Sequence, residues 1–294
     1  MATIDYLGSK RKRLPSIQRL NAWAYRGFLL MLVGLGSIIF VLPLFWMVAT
    51  SFKASSEVIQ YPPVWLPSQI RWENYTEPWN RLPFLTFYKN TLIMVCANLI
   101  GSVLVNSLVA YGFARLRFRG RDILFLVLLS TMMLPGQVTL IPTYLLFSKL
   151  GWVNSLRPLI VPVYFGDPFF IFLLRQYFMT ISTELDDAAK IDGCGFFAIY
   201  LRIILPLSTP VLGVVAIYEF MWDWNNFFGP LIFINSPKNF PIALGLRMLQ
   251  GTLYHVPEQH IMAMTFVSII PLLLVFAFTQ RRFIQGIVVS GIKG

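Results

Sequence analysis

The sequence predicts an all-α integral membrane protein, and three observations carry that expectation. Hydrophobic residues make up 56% of the 294-residue chain and charged residues only 13%, against about 45–50% and about 25% in soluble domains. Apolar runs long enough to cross a bilayer as helix, about 20 residues, recur six times. Basic residues, 24 against 13 acidic, gather between alternate runs. Together these exclude an ordinary soluble enzyme, a disordered chain and a secreted disulfide scaffold. They assign the net charge of +11 to membrane topology rather than to a nucleic-acid partner.

The runs fall at about 27–50, 87–114, 122–142, 157–179, 209–234 and 259–280. The first exceeds the apolar core of a signal peptide, so it reads as an uncleaved span, kinked at Pro43. The third is interrupted by Pro135, Gln137 and Pro142, and the fourth by Pro158, Pro162, Gly166, Asp167 and Pro168. Such breaks survive in membranes where the freed backbone groups face protein or a water-filled cavity. In the fifth run Glu219, Asp223 and Asn226 stand at i, i+4 and i+7, one helix face, with Trp222 and Asn225 beside them. Ionisable groups at mid-membrane cost at least about 2.5–3.5 kcal/mol each. The stripe is therefore either a polar wall of a substrate path or interhelical glue against a partner subunit. Asp167 is a second path candidate, with satisfaction of local backbone amides as its alternative. Asn98, Asn106 and Gln137 read as packing or cavity-lining groups.

Orientation follows from the basic residues. With the N-terminus inside, Lys10, Arg11, Lys12, Arg13, Arg19 and Arg26 are cytoplasmic, as are Arg115, Arg117, Arg119 and Arg121. Arg175, Lys190, Arg202, Arg281, Arg282 and Lys293 join them, making 16 of the 24. The positive-inside rule then places both termini in the cytoplasm. The expected organisation is a basic segment at 1–26, a six-helix transmembrane domain at 27–280 and a tail at 281–294. The outer loops, 51–86 and 235–258, are rich in Pro, Trp and Tyr and read as compact interfacial loops or as a docking surface. Cys96, Cys194, His255 and His260 form no metal-ligand or redox pattern. No GxxxxGK[ST], GxSxG or HExxH string occurs. The expectation is a non-enzyme with no catalytic site, no metal and no cofactor of its own.

The inner segment between the fourth and fifth runs, about 180–206, is the least lipid-like. Thr183 and Asp186 fit a capping box opening a short helix, and Gly193 fits its stop. A second short amphipathic stretch from Phe196 leads to Leu205-Pro206. Two short helices hinged at a glycine are expected, either as a docking loop or as a solvated connector.

Within that segment Asp187-Ala188-Ala189, Gly193, Ile203 and Leu205-Pro206 match the spacing EAA-x3-G-x9-I-x-LP. The segment resembles the EAA loop of ABC-importer permeases, and Glu184-Leu-Asp-Asp-Ala-Ala-Lys-Ile-Asp192-Gly193 resembles its carbohydrate-importer form. Asp187 departs from the usual glutamate and shortens the carboxylate's reach by one methylene. The resemblance extends to Pro62-Pro63-x-Trp65-x-Pro67, Glu73-Asn74-Tyr75, Asn90, Ala110-Tyr111-x-Phe113-Ala114-Arg115, Trp224-Asn225, Pro230-Leu231 and Gly286…Lys293-Gly294. The whole is similar to the smaller six-span permease of maltose-type transporters.

That resemblance implies a type I ABC importer fold in a bacterial or archaeal plasma membrane. It also implies a second permease, two ATPase subunits carrying ATP and Mg, an extracytoplasmic solute-binding protein and a sugar or related polar substrate. It assigns ATPase coupling to Glu184, Asp187, Ala188, Ala189, Asp192, Gly193, Ile203, Leu205 and Pro206. The alternative from another class is an ion-coupled secondary transporter using Glu219 and Asp223. Against it stands the lack of internal duplication.

Overall fold

The computed structural model describes residues 16–81, 83–250 and 256–291, with side-chain surroundings for 25–81, 83–250 and 256–279. Lys10, Arg11, Lys12, Arg13, His255, Lys293 and Gly294 lie outside the described residues, and the side chains of Arg19, Arg281, Arg282 and the 281–294 tail lie outside as well. Among the described residues every regular element is helical. The principal helices are α1 (Ser16–Ser51), α2 (Glu73–Arg81), α3 (Phe84–Arg115), α4 (Arg121–Ser130), α5 (Gly136–Lys149) and α6 (Pro168–Thr180). They continue with α7 (Glu184–Ile191), α8 (Phe196–Leu207), α9 (Thr209–Trp224), α10 (Phe228–Phe233), α11 (Ile242–Leu249) and α12 (Glu258–Gly291).

Among the described residues four stretches are long and apolar enough to cross a bilayer: Tyr25–Ser51, Phe84–Arg115, Arg157–Thr180 and Glu258–Thr279. Two more cross only as bent pairs, Arg121–Met133 with Gly136–Lys149 at 96° and Phe196–Leu207 with Thr209–Trp224 at 78°. Among the described residues there are thus four to six candidate spans, each near an expected run. The fifth run does not form one helix over 209–234: α9 ends at Trp224, and α10 begins afresh at Phe228. Asn226 consequently leaves the helical face of Glu219 and Asp223. The expected break in the fourth run is present, with short turns through Phe165, then Gly166 at φ 89° and Asp167 before α6.

Helix α3 is the centre of the bundle, packing against α6 and α9 along its length. Gly101 permits a close approach here: a Cβ at that position would lie 2.9 Å from the Tyr164 ring, whose hydroxyl donates to the Ala97 carbonyl at 2.9 Å. The apolar core divides along α3. The inner cluster joins Ala110, Tyr111, Phe170, Leu174 and Phe178 of the spans to Ala189, Ile199, Tyr200 and Ile204 of the inner loop. The outer cluster joins Phe84, Phe87 and Val95 to Trp224, Ile242, Leu249 and Met264.

The loop after α1 is compact. Lys53 is buried, donating to the Val64 carbonyl at 2.6 Å and lying 4.0 Å from the Trp46 ring centre. Asn74 donates to the carbonyls of Ser51 and Lys53, both at 2.9 Å. Aromatic pairs Trp46–Trp65 and Phe52–Trp72 close the loop with ring centres 5.5 and 5.1 Å apart.

Candidate functional site

The inner loop is built on α7, whose start differs from the expected capping box. Thr183 makes no side-chain cap; the Glu184 amide donates instead to the Ser182 hydroxyl at 3.2 Å. Asp186 is unavailable for capping because it turns inward to Arg115, with the guanidinium 3.5 Å from its carboxylate. The helix stops as Gly193 predicts. Gly193 takes φ 82°, its amide reaching the Lys190 carbonyl at 3.0 Å while the Cys194 amide reaches that of Ala189 at 2.9 Å. This is a Schellman ending, whose left-handed residue favours glycine.

Helix α7 thereby acquires two faces. Asp186 and Ala189 are buried against the spans. Glu184, Leu185, Asp187, Ala188, Ile191, Asp192 and Gly193 are exposed, with Ile191 at 87%. Asp187 accepts from the Lys190 ammonium at 2.8 Å. That hydrogen bond and the ammonium's charge hold the Asp187 carboxyl below its ordinary value.

Helix α8 contains a π-helical turn at Tyr200–Ile204. Its inner side is tied to α3: the Tyr111 hydroxyl donates to the Phe196 carbonyl at 2.9 Å, and the hydroxyls of Ser107 and Tyr200 share a 2.7 Å hydrogen bond. Ile203 and Leu205 pack against the inner core, while Pro206 is exposed and its carbonyl accepts from Thr209 at 2.7 Å. Phe196 and Phe197 are exposed beside the bare face of α7.

The second candidate region is a polar seam between α3 and α9. Glu219 and Asp223 are 7% and 3% exposed. They face α3 of the same chain, where Ser102 is the hydrogen-bonding neighbour of Glu219 and Asn98 that of Asp223. Both carboxylates thus meet a neighbouring helix of their own chain. Among the described residues no basic side chain pairs with either carboxylate. Asn98 also donates to the Leu159 carbonyl at 3.0 Å, and Asn106 to the Ser102 hydroxyl at 2.9 Å.

Asp167 caps α6, accepting from the amides of Phe169 at 2.8 Å and Phe170 at 3.1 Å, while its own amide donates to Asn106 at 2.7 Å. This is the local-amide alternative. The other path candidates lie outside the seam. Trp222 is 76% exposed, Asn225 is exposed and folds back to the Met221 carbonyl, and Asn226 is half-buried, accepting from the Gly229 amide. The structure separates the predicted stripe and its flanks into two buried acids, the half-buried Asn226 and two exposed groups, Trp222 and Asn225.

Sequence reasoning missed Arg115 and Asp186 as site residues. Arg115 reads as one member of a basic topology cluster, yet its side chain is 3% exposed and also donates to the carbonyls of Phe178 at 2.8 Å and Ile181 at 2.7 Å. Asp186 stands beside the matched Asp187. Its spacing of three from buried Ala189 was the available signal.

Comparison with known proteins places the chain in context. Residues 102–289 match the family described as binding-protein-dependent transport system inner membrane component. The arabinooligosaccharides transport system permease protein AraQ of Halalkalibacterium halodurans is 33% identical, covering 90% of this chain and 96% of its own. The polygalacturonan/rhamnogalacturonan transport system permease protein YtcP of Bacillus subtilis is 32% identical, with 91% and 96% covered. The diacetylchitobiose uptake system permease protein NgcG of Streptomyces coelicolor is 30% identical, with 87% and 85% covered. Among solved structures, a chain of a bacterial ABC transporter involved in the import of the acidic polysaccharide alginate superposes with TM-score 0.81 at 22% identity, covering 92% of this chain and 99% of that one. This last likeness shows the fold alone.

Proposed function

The chain belongs to the family of binding-protein-dependent transport system inner membrane components, and from that premise we propose that it forms half of the translocation path of an ATP-driven sugar importer. Membership makes it a multi-pass membrane permease whose relatives serve carbohydrate uptake. The finer reading has six spans, counting each bent pair as one, with both termini cytoplasmic in a bacterial or archaeal plasma membrane. A second permease completes the path, two ATPase subunits bind ATP and Mg beneath it, and an extracytoplasmic binding protein delivers the solute.

The observation that carries this reading is the two-faced helix α7. A solvated connector would be polar on its free side and loosely attached to the bundle. Instead one side is buried in the inner core, while Leu185, Ala188 and Ile191 are bare on the other, flanked by Glu184, Asp187 and Asp192. Exposed apolar side chains rimmed by charge mark a protein contact, and this contact lies at the matched EAA segment. On this reading a nucleotide-driven closure of the ATPase pair pushes α7, and the spans respond as a rigid-body rearrangement. The sugar passes along the exposed groups Trp222 and Asn225 and the half-buried Asn226, with Asp167 fixing the break in span four, while Glu219 and Asp223 hold α9 to α3.

The test is recovery of the ATPase. The chain is purified in mild detergent from membranes of its native host, beside an Ile191→Asp variant. The wild-type chain is expected to bring down an ATPase subunit and the variant to lose most of it. Equal recovery from both, or none from either, refutes the docking surface.

A further inference from the structure

Resting on that reading of the inner loop, we propose that Arg115 is a positioning residue that joins α7 and the inner ends of two spans into one mechanical body. Arg115 is the last residue of α3. Its guanidinium meets Asp186 of α7 at 3.5 Å and the carbonyls of Phe178 and Ile181, at and just past the end of α6, at 2.8 and 2.7 Å. One planar group thus joins three segments, hydrogen-bonding the end of α6 twice while its other amino group forms the ion pair with α7, a fork that a lysine's single ammonium does not reproduce. The two charged side chains are 3% and 9% exposed.

A buried ion pair adds little net stability over an apolar pair of similar shape; what this pair fixes is orientation. The neighbouring turns of α3 extend the attachment, since Tyr111 and Ser107 bind α8 on the same side. Without Arg115, a push on α7 reaches the bundle through the non-directional packing of Ala189 and through its chain ends, the turn at Ile181–Thr183 and the left-handed turn at Gly193. Both turns are able to bend. With Arg115 in place the push arrives at α3 and α6 directly.

The chain's two cysteines are placed to report this. Cys96 is exposed on α3, and Cys194 follows α7. Both are spin-labelled in the full complex, assembled with cysteine-free partners in nanodiscs. Their distance is measured by pulsed electron resonance without nucleotide and after vanadate trapping with MgATP. The wild-type chain is expected to give one narrow distance, unchanged by trapping. In Asp186→Asn and Arg115→Ala the distribution broadens and shifts on trapping, and uptake per ATP hydrolysed falls at least tenfold; Asp186→Glu recovers part of both. A merely structural role would lower yield without creating a nucleotide-dependent shift. A wild-type distance that shifts, or an Asp186→Asn distance that stays fixed, overturns the proposal. Ile191→Asp is run alongside: if it retains the ATPase, the docking reading itself has failed, whereas if it loses the ATPase the distances judge Arg115 alone.

Discussion

Asp186 and Asp187 are adjacent and chemically identical, yet the fold gives them opposite tasks. Asp187 matches the family spacing and faces outward; Asp186 faces inward and binds a buried guanidinium. A helix of eight residues has room for both because neighbouring positions are about 100° apart on its surface. For Asp187 the sign of its pH response is set by Lys190. Its carboxyl lies below the ordinary 3.8, so the ion pair is present at neutral pH and is lost only as pH falls through that depressed value. Association with the ATPase is therefore expected to be indifferent to Asp187 titration between about pH 5 and 8. A binding curve for the purified subunits across that range checks it. Gly193 is the other decisive residue, since its φ of 82° strains any β-branched substitute by on the order of 1–3 kcal/mol. Gly193→Ile is expected to insert normally and keep ATP hydrolysis while uptake falls severalfold, read as sugar accumulated per ATP in proteoliposomes. Normal uptake by this variant would remove Gly193 from the coupling path.

At the scale of elements, α3 accounts for most of what the sequence left open. Asn90, Asn98, Ser102 and Asn106 recur at multiples of four residues, followed by Ser107, Tyr111 and Arg115 at the same interval. Asn90 donates to the carbonyls of Lys238 and Phe240 in the outer loop at 2.9 and 3.1 Å, and Thr91 accepts from the Ile242 amide at 2.8 Å. The middle of the row faces α9 and α6, and the inner end holds the loop. One helix thus carries polar attachments along its whole length, from Asn90 to Arg115. Polar contacts between membrane helices average only about 0.6 kcal/mol each, so no single one sustains the bundle. Asp223→Asn, which keeps the shape and the hydrogen-bonding neighbour, is expected to leave the KM for the transported sugar unchanged. Trp222→Ala, on the outward side of the same turn, is expected to raise it severalfold. Uptake kinetics on both variants check the assignment, and a raised KM for Asp223→Asn would return that residue to the path.

At the scale of the whole molecule, composition and run length pointed to the four helices long enough to cross a bilayer and to the two bent pairs, because burying backbone in lipid demands long apolar helices. They did not foretell the 96° and 78° bends. Pro43 lies within the uninterrupted α1, whereas Pro135 stands at a break, and a proline's neighbours in space decide which outcome follows. The acids of the fifth run were legible as buried and costly. Which neighbour they met was not, because that depends on α3, more than a hundred residues earlier. Likewise the inner loop was visible in its spacing, while the Arg115 attachment required the end of span two to be brought beside it. Topology is testable independently of function: single cysteines at Phe118 and Tyr61 in an otherwise cysteine-free chain are expected to label from the inside only and the outside only.

On the proposed function, transport through this chain is driven by ATP hydrolysed on a partner and delivered through the inner loop. Its most direct measurement is uptake into proteoliposomes holding the assembled complex. A panel of oligosaccharides and the extracytoplasmic binding protein are supplied outside, and ATP or a non-hydrolysable analogue is enclosed inside. Accumulation only with enclosed ATP, and its loss with Ile191→Asp, is the predicted result. Accumulation driven by a proton or sodium gradient without ATP would contradict it.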